Sequence, residues 1–411
     1  MSRLSVVVIG AGMYVCGRGT DGLGIVLPTL VQAAARGELQ EIWVAATSSG
    51  SLAQMRDKLD QINARLGTSV RVHGVPAAGQ NPLAYRTALA GIPRPACAIV
   101  VVPDHLHAPI TEDVIDAGLP VLVVKPLTST RAEAMRLIRQ AQSKGVYGAV
   151  EFHKRWDEAN LLLRQAIADG RLGELRHLSV EYGQRRVIQD AFASWRRHTN
   201  IFQYLGVHYA DLISFVTGAR PVRVLALGEP ARFARGEPWK LDAIHALIEW
   251  KRGTAGFTAS ILTNWIEPPR ASAMSDQRLC VLGTRGRYDS DQKHRGVQIV
   301  TDGGVEDLNP YFSQLYRDAD GRMTIEGYGP RSIRQFLADA QALSDGTVRL
   351  PDLAQSRPTF RQALISTTIV EAVNASLSQG GVWVDVDSRE SVDAPARRGP
   401  ARARRISVRT R

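Results

Sequence analysis

Short apolar runs recur along the first part of the chain, and a helical pattern separates each from the next. Ser5–Gly10 is nearly all apolar and passes into a Gly-Ala-Gly turn, which is how a parallel strand buried on both faces reads. Glu41–Ala46, Val70–Val75, Ala96–Val102, Pro120–Val124 and Tyr147–Phe152 repeat the strand pattern. Between them, Ile25–Arg36, Ser51–Leu66, Pro82–Ala90, Ile110–Ala117 and Ser129–Lys144 carry helical periodicity, the last opened by Ser-Thr capping residues. This alternation predicts an α/β domain, a doubly wound parallel sheet, over residues 1–150.

The rhythm then changes. Glu158–Asp169 reads as a helix ended by Gly170, His177–Tyr182 as a strand, and Asn200–Val216 as a helix closed by Gly218. From Val222 to Val300 the text is strand-like, with alternating runs such as His245–Lys251, Ala255–Leu262 and Arg278–Leu282. Ser332–Leu343 and Arg361–Leu377 return to helices. Grouped strands flanked by helices predict an α+β domain over 151–390, with an open, mostly antiparallel sheet covered by helices on one face.

Composition narrows the partners. With 411 residues the chain has room for two ordinary domains, and 44% hydrophobic content is that of a globular protein. The net charge of +11 suggests nucleic acid, but seven arginines and no acid fall within 394–411. A Pro/Ala/Arg tail over 391–411 cannot bury apolar surface and is expected to be disordered. The body lacks basic residues interleaved with stacking aromatics, so nucleic acid is not the expected partner. No apolar run reaches membrane-spanning length, and the opening residues lack a secretory pattern. The cysteines Cys16, Cys97 and Cys280 show no CxxC spacing, which fits free thiols in a reducing cytoplasm.

Gly10-Ala11-Gly12, directly after the first strand, is the first chemical signal. Gly10 permits a tight turn, and Gly12 lets backbone N–H groups of the turn and Met13 approach a diphosphate. The third glycine of the dinucleotide fingerprint is replaced by Val15. The second strand ends Ala46-Thr47-Ser48-Ser49 without an acid, and Arg56 and Lys58 follow. Thr47 and Ser48 with a cation nearby lean toward NADP over NAD, although Ser48 could equally be a helix cap.

Residues 98–126 carry a more specific pattern: Pro103-Asp104-His105-Leu106-His107, then Ala117-Gly118, then Val124-Lys125-Pro126. The chain goes on with Glu151-Phe152-His153-Lys154-Arg155-Trp156-Asp157 and Tyr204-Leu205-Gly206-Val207-His208-Tyr209-Ala210-Asp211. In spacing these segments resemble the glucose–fructose oxidoreductase/inositol dehydrogenase (Gfo/Idh/MocA) family. The resemblance runs to about residue 385. It implies an N-terminal Rossmann domain for NAD(P), a C-terminal domain for substrate and self-association, and a homodimer or homotetramer. It also implies that Pro103, Asp104, His107, Lys125 and Pro126 shape the cofactor pocket. Two positions depart from the family pattern: its Glu before Lys is Val124 here, and its helix Asp is Tyr204.

The residue types support the same chemistry. Moving a hydride between a carbinol carbon and nicotinamide needs a group that takes or gives the hydroxyl proton. Lys125 follows a buried strand, where desolvation lowers an ammonium pKa. Tyr204 and His208, four apart on one helix, share a face. With Lys125 they form a catalytic trio, Tyr204 exchanging the proton and His208 bonding the substrate hydroxyl, or the reverse. His153, Lys154, Arg155, Trp195, Asn200 and Trp265 are candidates for contacting a sugar-like polyol, and Asp211 is expected to be structural. His105-x-His107 and His208-x-x-Asp211 each lack the third ligand of a catalytic zinc, so no metal is expected. The leading expectation is a reversible dehydrogenase of sugars, inositols or related polyols. An NAD-dependent glycosidase using transient oxidation, and a non-catalytic dinucleotide-binding regulator, are the alternatives.

Overall fold

The computed structural model describes residues 2–191, 198–230 and 241–386. Trp195 and the arginine-rich tail lie outside the described residues.

The first part alternates as its sequence pattern requires. It runs β1 (Leu4–Ile9), α1 (Met13–Cys16), α2 (Val26–Ala35), β2 (Leu39–Ala45), α3 (Ser49–Leu66), β3 (His73–Val75) and α4 (Ala84–Gly91). It continues through β4 (Ala96–Val100), α5 (His107–Asp116), β5 (Val121–Val124), α6 (Arg131–Lys144) and β6 (Gly148–Glu151). The six strands form one parallel sheet in the order β3-β2-β1-β4-β5-β6. The order reverses direction beside β1, the place where doubly wound sheets open a crevice at their strand ends. Every residue of β1 is buried, because helices cover both faces.

The second part holds α7 (Glu158–Ala168), β7 (Leu175–Arg185), α8 (Val187–Ala191), α9 (Val207–Thr217), β8 (Arg220–Pro230), β9 (Leu241–Arg252) and β10 (Ala255–Glu267). Next come β11 (Ser275–Gly283), β12 (Arg287–Asp291), and two hairpins, β13 (Gln298–Thr301) with β14 (Gly304–Asp307) and β15 (Gln314–Arg317) with β16 (Met323–Glu326). Helices α10 (Tyr328–Ser344), α11 (Leu350–Ala354) and α12 (Phe360–Ser378) and the short β17 (Val384–Asp385) close the fold. The large sheet has the order β12-β11-β7-β10-β9-β8-β17. All its neighbours are antiparallel except β7 and β10. One face is buried: Val180, Val224, Ile248 and Ile261 share a core with Ile213 of α9 and Val373 of α12. That core runs without a break into Val114 of α5 and Leu137 of α6.

Helix α10 lies late in the chain yet covers the first sheet. Ile333, Phe336, Leu337 and Ala340, at helical spacing, bury against a core that includes Val6, Val8, Leu30 and Leu52. Burying side chains of this size contributes roughly 1.5–3 kcal/mol each for the larger three, enough to hold α10 there. The β15–β16 hairpin is fastened beside it. The Gln32 carboxamide accepts from the Ile325 backbone N–H (2.7 Å) and donates to the Ile325 carbonyl (3.1 Å), completing a strand-like pair with a side chain.

Candidate active site

The sequence candidates collect at the carboxyl ends of β1, β4 and β5 and on the segment leading into α9. The glycine turn comes first. Gly10 has φ +118°, and a Cβ there would meet the Val101 carbonyl oxygen at 1.9 Å, so only glycine lets β1 leave the sheet beside β4. A Cβ on Gly12, in contrast, would find nothing within 4 Å. The backbone of the turn is therefore open to a ligand, as a diphosphate cradle requires. Met13, next along, packs against the same core as Tyr204.

The end of β2 is engaged locally. Ser48 is the N-cap of α3, its hydroxyl accepting from the Ser51 N–H at 3.1 Å, and the exposed Thr47 takes the Asn81 N–H on its carbonyl. Lys58 donates to the carbonyls of Thr20 (2.7 Å) and Gly22 (2.9 Å), pinning the glycine-rich segment after α1. Ser48 and Lys58 are thus engaged within the fold, while Arg56 and the Thr47 side chain are exposed.

At the end of β4, Pro103 caps a short turn over Asp104–Leu106. His107 is fully buried, with Nδ1 2.7 Å from the Pro126 carbonyl and Nε2 2.9 Å from the Val102 carbonyl. It ties the Lys125–Pro126 corner to the end of β4. The buried Asp104 carboxylate accepts from Thr199 Oγ1 (2.9 Å) and Gln203 Nε2 (2.7 Å), so it joins the two domains beside the cleft.

Lys125 is held from the other side. Its ammonium donates to the Tyr204 carbonyl at 2.5 Å and lies 4.0 Å from the centre of the Tyr204 ring. Burial lowers its pKa to about 8, against the pull of the Asp104 and Glu151 charges. Tyr204 sits in a wide π turn, Phe202–Gly206, rather than the expected α-helix. The Phe202 ring lies across Gly206, where a Cβ would meet it at 2.5 Å, and the helix widens around that contact. Burial pushes the Tyr204 phenol up to about 12, opposed by a hydrogen bond with Gln184 and aided by the Asp104 charge. His208, one turn on, is buried with its pKa well below the usual histidine value. The cause is burial first, then the charges of Lys125, His153 and Lys154. Its Nδ1 has no hydrogen-bond partner among the described residues.

The candidates for substrate contact divide. His153 lies in the cleft, its ring 4.7 Å from that of His208 between centroids and its Nδ1 3.1 Å from Glu151 Oε2. The other described candidates are engaged elsewhere. Lys154 is buried, donating to Gln277 Oε1 (2.5 Å) and Gln292 Oε1 (2.9 Å) under the rings of Tyr182 and Tyr209, and burial lowers its pKa to about 7. Arg155 forms a two-pronged pair with Asp211 (2.8 and 2.6 Å) and reaches Gln362, which gives Asp211 the structural part expected of it. Asn200 accepts the Gln203 N–H and donates to Asn374. Trp265 is buried in the sheet and donates to the Leu241 carbonyl. Each of these polar groups has an internal hydrogen-bond partner.

Two groups of this cleft are absent from the sequence candidates, Glu151 and Tyr14. Glu151 closes β6 and pairs in parallel register with Val124, so an acid stands on the neighbouring strand beside the position where the family pattern places one. The available signal was a carboxylate ending an otherwise apolar strand. For Tyr14 the glycine turn itself drew the attention. Among the described residues no group of three or more His, Cys, Asp or Glu is arranged for a metal. His107 is held by carbonyls and Asp211 by Arg155.

Comparison with known proteins gives a consistent result. Residues 32–152 match the model described as an oxidoreductase family with an NAD-binding Rossmann fold, and residues 161–289 match the Gfo/Idh/MocA C-terminal domain. The chain is 26% identical to an inositol 2-dehydrogenase of Rhizobium meliloti over 228 residues, 54% of this chain and 66% of that protein. It is 34% identical to a scyllo-inositol 2-dehydrogenase (NADP(+)) of Bacillus subtilis over 123 residues, 28% of this chain and 34% of that protein. The matched parts thus span less than two thirds of either relative. In fold it resembles an inositol dehydrogenase homologue of Azotobacter vinelandii solved with NADH and myo-inositol, with a TM-score of 0.68 and 20% identity. That likeness covers 93% of this chain and 98% of the other.

Proposed function

The chain belongs to the Gfo/Idh/MocA oxidoreductase family, and from that premise we propose that it is an NAD(P)-dependent dehydrogenase acting on a CH–OH carbon of an inositol, a sugar or a related polyol. The observation that carries this reading is the Lys125 ammonium. It is desolvated at a strand end, stacked on Tyr204, within electrostatic reach of His208, and separated by β4 alone from the strand that ends in the glycine turn.

Gly10, Gly12 and Met13 would hold the dinucleotide's diphosphate over the open turn, with Pro103 and Pro126 bounding the pocket. Bound nicotinamide would supply the acceptor or donor of hydride. Lys125, with a pKa of about 8, is matched to taking the hydroxyl proton near neutral pH. Tyr204, pushed up to about 12, stays protonated and serves as a hydrogen-bond donor to the reacting oxygen. His208, kept neutral, offers a ring nitrogen to a substrate hydroxyl. NAD is the better-supported cofactor, since Lys58 and Ser48 are engaged elsewhere.

Self-association through the uncovered face of the large sheet belongs to the same reading. Leu227, Leu262, Ile266 and Leu282 are exposed there, and sedimentation of the purified protein tests it. No described helix is long and apolar enough to cross a membrane. The functional test is incubation with NAD or NADP and a panel of inositols, sugars and sugar acids, following absorbance of the reduced cofactor. Polyol-dependent reduction is the expected result. Cofactor binding without turnover on any of them would overturn the assignment.

A further inference from the structure

Glu151 is 2% exposed, and neither of its carboxylate oxygens meets an arginine or lysine among the described hydrogen bonds. Oε1 accepts from Ser332 Oγ of α10 at 2.6 Å, and Oε2 lies 3.1 Å from His153 Nδ1. A buried carboxylate whose neighbours are hydroxyls and an imidazole costs several kcal/mol unless positive charge stands nearby. The cleft supplies that charge from Lys125, which follows the β5 residue paired with Glu151. Other carboxylates near the cleft are already committed. Asp157 is clamped by Arg295 at 2.7 and 2.5 Å, and Asp211 by Arg155. Asp104 also acts on Lys125, but its hydrogen-bond partners are the neutral Thr199 and Gln203.

Apart from one small cavity, Glu151 is enclosed by protein. Tyr14 of α1 lies beside it, and burial, then the Glu151 charge, raises the Tyr14 phenol. Behind it lies a small cavity lined in part by Tyr147, Ser332, Asp339 and Arg357, the last two paired with each other. On the cleft side, the His153 ring held by Glu151 is packed between His208 and the rings of Phe312 and Tyr328. The titratable groups around this carboxylate are therefore Lys125, His153 and Tyr14, with Tyr328 behind the His153 ring and Tyr147, Asp339 and Arg357 across the cavity.

We propose that Glu151 is a positioning residue of this site. Anchored by Ser332, it holds the His153 ring against His208 through the Oε2–Nδ1 contact, and it adds its negative charge to that of Asp104 in the surroundings of the Lys125 ammonium. It acts through those two groups rather than on the substrate. The proposal rests on the dehydrogenase reading for its catalytic meaning. The coupling to Lys125 is a property of the folded chain alone.

The experiment compares wild type, E151Q, E151D and S332A. Trace acetylation of Lys125 across a pH series, read by peptide mass spectrometry, gives its titration without any substrate. In E151Q, which keeps a hydrogen bond to Ser332 but loses the charge, the Lys125 midpoint should fall by roughly half a unit or more. The rising limb of kcat/KM for polyol oxidation should move to lower pH by the same amount. E151D should return both toward wild type, and S332A, which breaks only the tie to α10, should leave both in place. An unchanged Lys125 midpoint in E151Q, or equal shifts in E151Q and S332A, overturns the proposal. A wild-type protein inert toward every polyol sinks the dehydrogenase reading instead, and the acetylation series still decides the coupling.

Discussion

The Lys125 ammonium lies 4.0 Å from the centre of the Tyr204 ring while donating to the carbonyl of the same residue at 2.5 Å. One side chain thus spans the two domains, and both of its contacts favour the charged form that burial opposes. The balance leaves a lysine that can gain or lose a proton near physiological pH.

Lys125→Met should lower turnover by about 10²–10⁴, the usual worth of a positioned acid–base group. Cofactor binding, measured by fluorescence titration, should stay within a few-fold. Turnover at the wild-type level would remove Lys125 from the chemistry.

The pH profile follows from the same group. Polyol oxidation needs Lys125 deprotonated, so kcat/KM should rise with pH and level off above about 8. Tyr204→Phe should lower the plateau but leave the limb in place, because a phenol pushed up to about 12 does not titrate in that range. A limb that disappears in Tyr204→Phe would reassign the base to the phenol.

The glycine turn makes a separate prediction. A side chain on Gly12 meets open space, so Gly12→Val should leave the melting temperature nearly unchanged while weakening dinucleotide binding at least tenfold. Lys58→Ala should change NAD and NADP affinity by the same factor, since Lys58 holds loop carbonyls. Selective loss of NADP binding would restore its role at a 2′-phosphate.

Two buried ion-holding sites test stability rather than activity. Removing one partner of the Arg155–Asp211 pair leaves an uncompensated buried charge. Asp211→Asn should therefore cost about 3–5 kcal/mol in denaturant unfolding. Lys154 has a folded pKa of about 7, far below its value in an unfolded chain. Its penalty on folding is complete below that pH and fades as pH rises toward about 10. Stability should accordingly climb above pH 7, by up to about 1 kcal/mol per unit, and Lys154→Met should flatten the climb.

Much of this architecture was legible because buried parallel strands are nearly all apolar and helices carry their own period. Ser5–Gly10 and Ala96–Val102 had no other reading, and the spacing from Pro103 to His208 pointed to the cleft. Less visible was what each buried polar side chain would meet. Lys154 and Arg155 sit next to His153 in sequence, yet only His153 enters the cleft; their partners Gln277, Gln292 and Asp211 come from distant segments. Helix α10 packs its apolar stripe on the first sheet, and the periodicity of that stripe does not encode which sheet it covers. The π turn at Tyr204 depends on the Phe202 ring crossing Gly206, a contact that helical periodicity does not encode. Glu151 became visible only through its register with Val124.

Hydride transfer itself is the claim to measure. Wild-type protein mixed with oxidised cofactor and an inositol deuterated at its carbinol carbons should place deuterium on the nicotinamide ring in a single turnover, and Lys125→Met should do so far more slowly. A cofactor that remains free of deuterium across the polyol panel, or a Lys125→Met protein that labels it as fast as wild type, would contradict the account.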